Sequence, residues 1–300
     1  MKRNVNGILL LDKPIGVTSN EVLQLVKRLF SANKAGHTGS LDPIATGMLP
    51  ICFGEATKFS QFLLEANKHY VATGKLGETT ASADSEGAVL QKREVKNIDV
   101  QVIEKILPKF QGKILQVPPM YSALKHKGQP LYKLARQGIE IEREPRVVTI
   151  HTIQLLELDG DLAKFEIRCS KGTYVRTIVA DIGELLGCGA HVIALRRLAV
   201  GPYQASQMVT VTMLQELVTK NDYKLLDNFL LPIDSMLIDI PEMTLTADMI
   251  FYMHQGQPLV IPKAPDSGLV KMKSKSGQFL GVGEVMLDGK IAPRRIITIK

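Results

Sequence analysis

Four apolar residues, Ile8 to Leu11, form the first clear block of the pattern, and Asp12-Lys13-Pro14-Ile15-Gly16 closes it. The block predicts a buried strand and the Pro/Gly pair a turn. Thr18-Ser19-Asn20-Glu21 follows with capping-box spacing, and Val22, Leu25, Val26 and Leu29 then recur as one helical face. Residues 69–76 read as a strand, and 77–87 (GETTASADSEG) as a polar connector. Ile98-Asp99 opens a second helix, with Val102, Ile103 and Ile106 on one side and Pro108 near its end. Pro130 suits the first turn of a short helix over 131–137, closed by Gly138.

Residues 147–158 and 162–170 alternate like paired strands around an Asp159-Gly160-Asp161 turn. Lys171-Gly172-Thr173 leads into a helix predicted near 177–186, where Ile178, Ile182 and Leu185 recur and Gly187 stops it. Another strand is predicted over 191–200. Pro232 and Pro241 bracket a linker, and short strands follow with turns at Lys275-Ser276-Gly277 and Leu287-Asp288-Gly289-Lys290. Strands and helices interleave, yet tight turns join several strand pairs. The prediction is an α+β fold: a mixed, mostly antiparallel sheet with helices packed on it.

Three hundred residues at 45% hydrophobic content suffice for one large domain or two unequal ones. A net charge of +7 favours an anionic partner. The tail from 242 adds eight Lys/Arg against five Asp/Glu. Three cysteines without a CxxC pair argue against a disulfide framework or a zinc site and fit a reducing cytosol. No HExxH or similar spacing exists among six histidines, so no metal is expected. Neither a phosphate-binding GxxxxGK[ST], a dinucleotide fingerprint nor a GxSxG elbow occurs. The apolar run after Met1-Lys2-Arg3 is too short for a signal, and no stretch reaches membrane-spanning length; a soluble cytoplasmic protein is expected.

The chemistry concentrates in His37-Thr38-Gly39-Ser40-Leu41-Asp42-Pro43-Ile44-Ala45-Thr46-Gly47, which holds one carboxylate and no Lys or Arg. Small residues flank Asp42, and Pro43 biases it towards extended or turn geometry. An acid so placed can be a nucleophile, a base or a helix cap. Pro50 and Gly54 leave little helix to cap. Lys171-Gly172-Thr173-Tyr174-Val175-Arg176-Thr177 places backbone amides and a guanidinium where an anion, or Asp42 itself, can meet them; a solvated loop with a surface ion pair is the alternative. A cation about 4 Å away contributes roughly 4 kcal/mol at an effective dielectric of 20, enough to keep a partly buried acid ionised. Tyr70 is either a core aromatic or a ring that stacks on a base and exchanges a proton. Residues 121–146 interleave six Lys/Arg with Tyr121, Tyr132 and His126, a solvated surface or an RNA-facing flap.

Together these stretches resemble the bacterial TruB family of tRNA pseudouridine synthases. The matching pieces run in order: GILLLDKP from Gly7, HTGSLDPIATGMLP from His37, Lys68-x-Tyr70, Leu76-Gly77 through Thr79 and Asp84, PPMYSALK from Pro118, CSKGTYVR from Cys169, and Leu195-Arg196-Arg197. The resemblance implies a pseudouridine synthase fold over residues 1–235, an RNA-binding insertion near 120–146, and a small β-rich PUA-like domain at 242–300. It implies isomerisation of uridine-55 in the T loop of tRNA through a flipped-out base, with no cofactor because no atoms are gained or lost. Asp42, Tyr70 and Arg176 become the catalytic set: Asp42 essential, Arg176 its partner, Tyr70 stacking on the base with a role as general base. His37, Tyr174, Leu195 and Lys13 join Tyr70 as substrate-binding residues. The expected partner is the tRNA T stem-loop, met by a monomer without guide RNA or membrane. A single prominent carboxylate disfavours glycoside hydrolysis, which uses two. The rivals are a guide-RNA-dependent synthase subunit and a non-catalytic RNA-binding protein.

Overall fold

A computed structural model describes residues 2–219 and 223–298. Met1 and Lys300, the outer limits expected for the two domains, lie outside the described residues. The strands are β1 (Gly7–Lys13), β2 (Ala35–His37), β3 (Ala45–Phe53), β4 (Lys68–Leu76), β5 (Glu78–Thr80), β6 (Val89–Lys92), β7 (Gly112–Gln116), β8 (Lys125–His126), β9 (Gln129–Pro130), β10 (Arg146–Asp159), β11 (Leu162–Cys169), β12 (Ala190–Val200), β13 (Val209–Thr210), β14 (Glu242–Leu245), β15 (Gly268–Ser274), β16 (Phe279–Val285) and β17 (Ile291–Ile296). The helices are α1 (Ser19–Leu29), α2 (Ser60–Glu65), α3 (Val100–Ile106), α4 (Leu131–Ala135), α5 (Val175–Leu185), α6 (Val211–Thr219), α7 (Tyr223–Asp227) and α8 (Ala247–His254).

Among the described residues, nine strands form the main sheet in the order β13-β1-β3-β12-β4-β11-β10-β7, with β2 pairing β3. Only β1–β13 and β3–β12 run parallel, so the sheet is mixed and mostly antiparallel, as expected. A smaller sheet, β14-β15-β16-β17, packs with α8 at the C-terminal end.

Local signals behave as the pattern predicts. The Thr18 hydroxyl accepts from the Glu21 amide while the Glu21 carboxylate accepts from Thr18, capping α1. Asp99 caps α3 by accepting from the Val102 amide, and β10 and β11 pair around Gly160 in the left-handed region. Helix α5 starts at Val175, two residues before its predicted start, which moves Arg176 into its first turn.

Three segments differ from the sequence reading. Residues 45–53 form a nine-residue strand, although Gly47, Pro50 and Gly54 disguise it. Pro50 is tolerated because only its carbonyl is needed, accepting from the Thr38 amide. The polar connector 77–87 contains β5 and buries Thr80, Ser82 and Asp84. The stretch between Pro232 and Pro241 is not a free linker: Met236 and Leu237 are buried with Ile8, Leu10 and Phe59, and Phe279 and Val282 of the small sheet join the same cluster.

Sheet order brings the chemistry together. The Asp42 loop empties into β3, β3 lies beside β12, β12 beside β4 with Tyr70, and β4 beside β11, which leads into α5 and Arg176. The β3–β12 approach depends on Gly47, at φ +96°, where a Cβ would lie 2.2 Å from the Arg197 carbonyl oxygen. Ile178, Val179 and Ile182 anchor α5 in the core that also holds Leu41, Ala45, Tyr70 and Leu195. Each buried isoleucine of this kind contributes about 1.5–3 kcal/mol.

Candidate active site

Asp42 caps no helix. Its carbonyl accepts from the Ala45 amide at 3.0 Å in a turn, and β3 begins directly afterwards. The loop is pinned on both sides of the acid. The Ser19 hydroxyl donates to the Leu41 carbonyl at 2.9 Å and accepts from the Leu41 amide at 2.8 Å, and the Gly16 amide donates to the Pro43 carbonyl at 2.9 Å. Lys13 Nζ, wholly buried, donates to the carbonyls of Pro14, Val17 and Pro43 at 2.9, 2.6 and 3.4 Å. The carboxylate is thus held by backbone tied down at the Leu41 amide and at the Leu41, Asp42 and Pro43 carbonyls.

Arg176 meets it from α5. Its side chain is 4% exposed, and Nε lies 2.9 Å from Asp42 Oδ2. Nη1 donates to Asp84 Oδ2 at 2.9 Å and to the Ser82 carbonyl at 2.7 Å, while Nη2 donates to the Tyr121 carbonyl at 2.7 Å. One buried guanidinium therefore links Asp42, the 77–87 segment and the root of the insertion. The surface ion pair considered for Arg176 is excluded, although Lys171 and Gly172 ahead of it do form an exposed turn.

A cavity of about 310 Å³ opens over this pair, at the lower end of the ~300–1,000 Å³ common for small-ligand sites. Asp42, Tyr70, Tyr174, Arg176 and Leu195 all line it, and so do Lys68, Arg197, Ser122 and Ala123. Five of the seven residues picked from sequence therefore share one wall system. Lys13 and His37 do not line it. Lys13 spends its donors on the loop backbone beneath, and His37 sits half-buried at the end of β2, its Nδ1 buried without a hydrogen-bond partner among the described residues. Burial, then the charge of Arg197, pushes the His37 pKa down, favouring the neutral ring.

The Asp42 pKa is raised, against the sequence expectation that a neighbouring guanidinium would settle the matter. Burial is the largest cause; Arg176 opposes it, the Asp84 carboxylate adds to it, and Lys13 opposes it more weakly. Burial and the second acid win. For any reaction in which Asp42 acts as its carboxylate, the acid limb of kcat/KM is therefore expected above the 3.8 of a free Asp, with activity lost as pH falls through the folded pKa. Asp84→Asn should move that limb to lower pH, because it removes a like charge and frees Arg176 for Asp42. A pH–rate profile of both proteins checks this, and an unmoved limb would refute it.

Tyr70, 8% exposed, also has a raised pKa: burial outweighs the opposing charge of Arg197. The shift keeps the phenol protonated at neutral pH. Tyr174 caps α5, its amide donating to Gln116 Oε1 at 2.8 Å and its carbonyl accepting from Gln116 Nε2 at 3.1 Å.

Comparison with known proteins gives this arrangement a family. A profile described as TruB family pseudouridylate synthase (N terminal domain) matches residues 27–175. A tRNA pseudouridylate synthase B C-terminal domain profile matches 176–238, and a profile for the C-terminal part of pseudouridine synthase II TruB matches 241–297. The tRNA pseudouridine synthase B of Coxiella burnetii (strain RSA 493 / Nine Mile phase I) is 55% identical over 296 residues, 99% of this chain and 96% of that protein. That of Pseudomonas fluorescens (strain Pf0-1) is 54% identical over 297 residues, 99% and 97%. This chain belongs to the TruB family.

Among solved structures, a Cbf5-Nop10-Gar1 complex aligns with a TM-score of 0.74 at 25% identity, covering 98% of this chain and 84% of that one. An H/ACA RNP bound to a substrate RNA containing 2'-deoxyuridine aligns at 0.75 and 23%, covering 98% and 85%, a likeness of fold. The pseudouridine synthase sheet and the β-rich C-terminal module expected for a TruB-family chain are both present.

Two cavity-lining cations of this TruB-family site had no role in the sequence reading, nor had Asp84. Asp84 is 2% exposed, but it sits in a polar, Gly-flanked run that reads as a solvated loop. Arg197 and Lys68 fall within the matching motifs Leu195-Arg196-Arg197 and Lys68-x-Tyr70, but their burial, 1% and 7% exposed, shows only in the structure. The signal available was a charged residue inside a strand pattern, which demands a partner.

Proposed function

We propose that this chain isomerises uridine-55 in the T loop of tRNA to pseudouridine, as a cytoplasmic, stand-alone monomer that uses neither guide RNA nor a cofactor. The observation that carries this reading is the Arg176–Asp42 pair at 2.9 Å, opening into a cavity shared with Tyr70. The full-length identity to curated tRNA pseudouridine synthase B proteins supports the choice of substrate and favours the stand-alone enzyme over the guide-dependent one. No described helix is long and apolar enough to cross a membrane.

In this reading, uridine-55 leaves the stack and enters the cavity, at an unstacking cost of a few kcal/mol that contacts to phosphate and base offset. The basic insertion near 120–146 covers the RNA loop; its root, Tyr121 to Ala123, already abuts the cavity and Arg176. Tyr70 stacks on the uracil, while Leu195 and Tyr174 bound it. Arg176 aims the Asp42 carboxylate at C1′, where it adds as a nucleophile or removes the C2′ proton to give a glycal. The C1′–N1 bond breaks with its electrons going to uracil, and the base turns. C5 then bonds to C1′ as the Asp42–C1′ bond breaks, or as Asp42 returns its proton to C2′ of the glycal. The C5 proton passes to solvent and N1 takes one up. Lys13 and His37 support the loop from behind. Residues 1–235 act as the catalytic domain and 242–300 as an RNA-binding module.

A tRNA T stem-loop carrying tritium at C5 of the target uridine tests the proposal. The purified chain alone is expected to release the label and leave pseudouridine at that position. Binding without release would favour a non-catalytic RNA-binding protein, and release only with added guide RNA would favour the guide-dependent rival.

A further inference from the structure

The cations around the cavity are unequally neutralised. Arg176 has Asp42 and Asp84 as partners. Arg197 and Lys68 also line the cavity, yet among the described residues neither has a carboxylate within 4.0 Å. Both are nearly enclosed. Lys68 Nζ donates to three carbonyls, those of Leu63, Leu64 and Ala66, at 3.1, 2.6 and 2.5 Å. Arg197 Nε donates to the Met48 carbonyl at 2.6 Å and Nη2 to the Gly39 carbonyl at 2.8 Å, three residues before Asp42. Strand register gathers these groups: Arg197 is opposite Tyr70, and Lys68 and Tyr70, two apart on β4, share a face.

Dipoles alone solvate these two charges. Burying a cation without a counter-ion is costly, so its retention calls for an explanation. The isomerisation supplies one. Breaking C1′–N1 sends both electrons to uracil, so the unit charge that begins on Asp42 ends on the detached ring by either chemical route. Arg176, neutralised twice over, suits the start of that transfer. An uncompensated pair of cations beside Tyr70 suits its end.

Resting on the pseudouridine synthase reading, we propose that Arg197, backed by Lys68, supplies beside Tyr70 the positive potential under which uracil departs as an anion. Asp42 and Arg176 handle the sugar, and Arg197 and Lys68 stabilise the base.

Single-turnover cleavage of a T stem-loop with uridine or 5-fluorouridine at the target position tests this. Fluorine stabilises the departing base anion by itself, so a site deprived of anion stabilisation loses less with the fluorinated base. Arg197→Gln is expected to slow uridine cleavage about 100-fold and 5-fluorouridine cleavage by no more than about 10-fold, with the stem-loop Kd within about threefold. Equal losses on both bases, or a loss confined to Kd, overturn the proposal. Arg197→Lys keeps the charge and covers the case in which Gln disturbs the fold. It is expected to stay within about 10-fold of wild type with an unchanged base ratio, and an equal loss near 100-fold on both bases overturns the proposal. A wild-type protein inactive on the uridine stem-loop would instead sink the activity itself.

Discussion

Asp42→Asn is expected to abolish tritium release from C5-labelled uridine in tRNA, by at least about 10⁴-fold, while the protein still folds. Asparagine matches the shape of aspartate but neither adds to C1′ nor accepts a C2′ proton. The fold is expected to survive because the loop hangs on backbone bonds: Leu41 to Ser19, Pro43 to Gly16, and Ala45 to the Asp42 carbonyl. Burial and Asp84 already disfavour the Asp42 charge, so its removal relieves repulsion, and Arg176 keeps Asp84 as a partner. A melting midpoint within about 3 °C of wild type is the matching expectation. Appreciable turnover by the pure variant would take Asp42 out of the chemistry.

Arg176→Gln should damage both activity and stability. It removes the cation facing two carboxylates, of which Asp84 is the deeper at 3% side-chain exposure and Asp42 the wetter at 40%. Stranding a buried carboxylate costs about 3–5 kcal/mol; the expectation here is about 3, because water reaches Asp42. Turnover should fall by about 10³-fold or more, since Asp42 is then neither aimed nor held ionised. Adding Asp84→Asn separates the two effects. The double variant should regain much of the lost stability, measured by denaturant unfolding, and none of the activity. Recovery of turnover would show that Arg176 serves the fold alone, and a single variant as stable as wild type would contradict the buried network.

Several parts of this molecule were legible because their causes are local in the chain. The α1 capping box, the Asp99 cap of α3 and the Gly160 turn each depend on side chains within three or four residues. Central strand β3 was harder, because Gly47 and Pro50 have no strand signature of their own. Their fit comes from neighbours at Arg197 and Thr38. The recurrence of Ile178, Ile182 and Leu185 starts α5 two residues late and leaves Arg176 outside it, so its burial has no local sign.

The chain by itself, through motif order and pattern, determined the family resemblance, the mixed sheet and five residues that line the cavity: Asp42, Tyr70, Tyr174, Arg176 and Leu195. Tertiary structure alone decided how charge is distributed among them. Asp84 reaches Arg176 across 92 positions, and Arg197 reaches Gly39 across 158. Only sheet order and register bring such groups together. Whether the Asp42 pKa rises or falls depended on burial, a second acid and two cations converging from separate segments. Hydrogen bonds between chain neighbours can be read from local sequence, whereas a buried charge answers to everything folded around it.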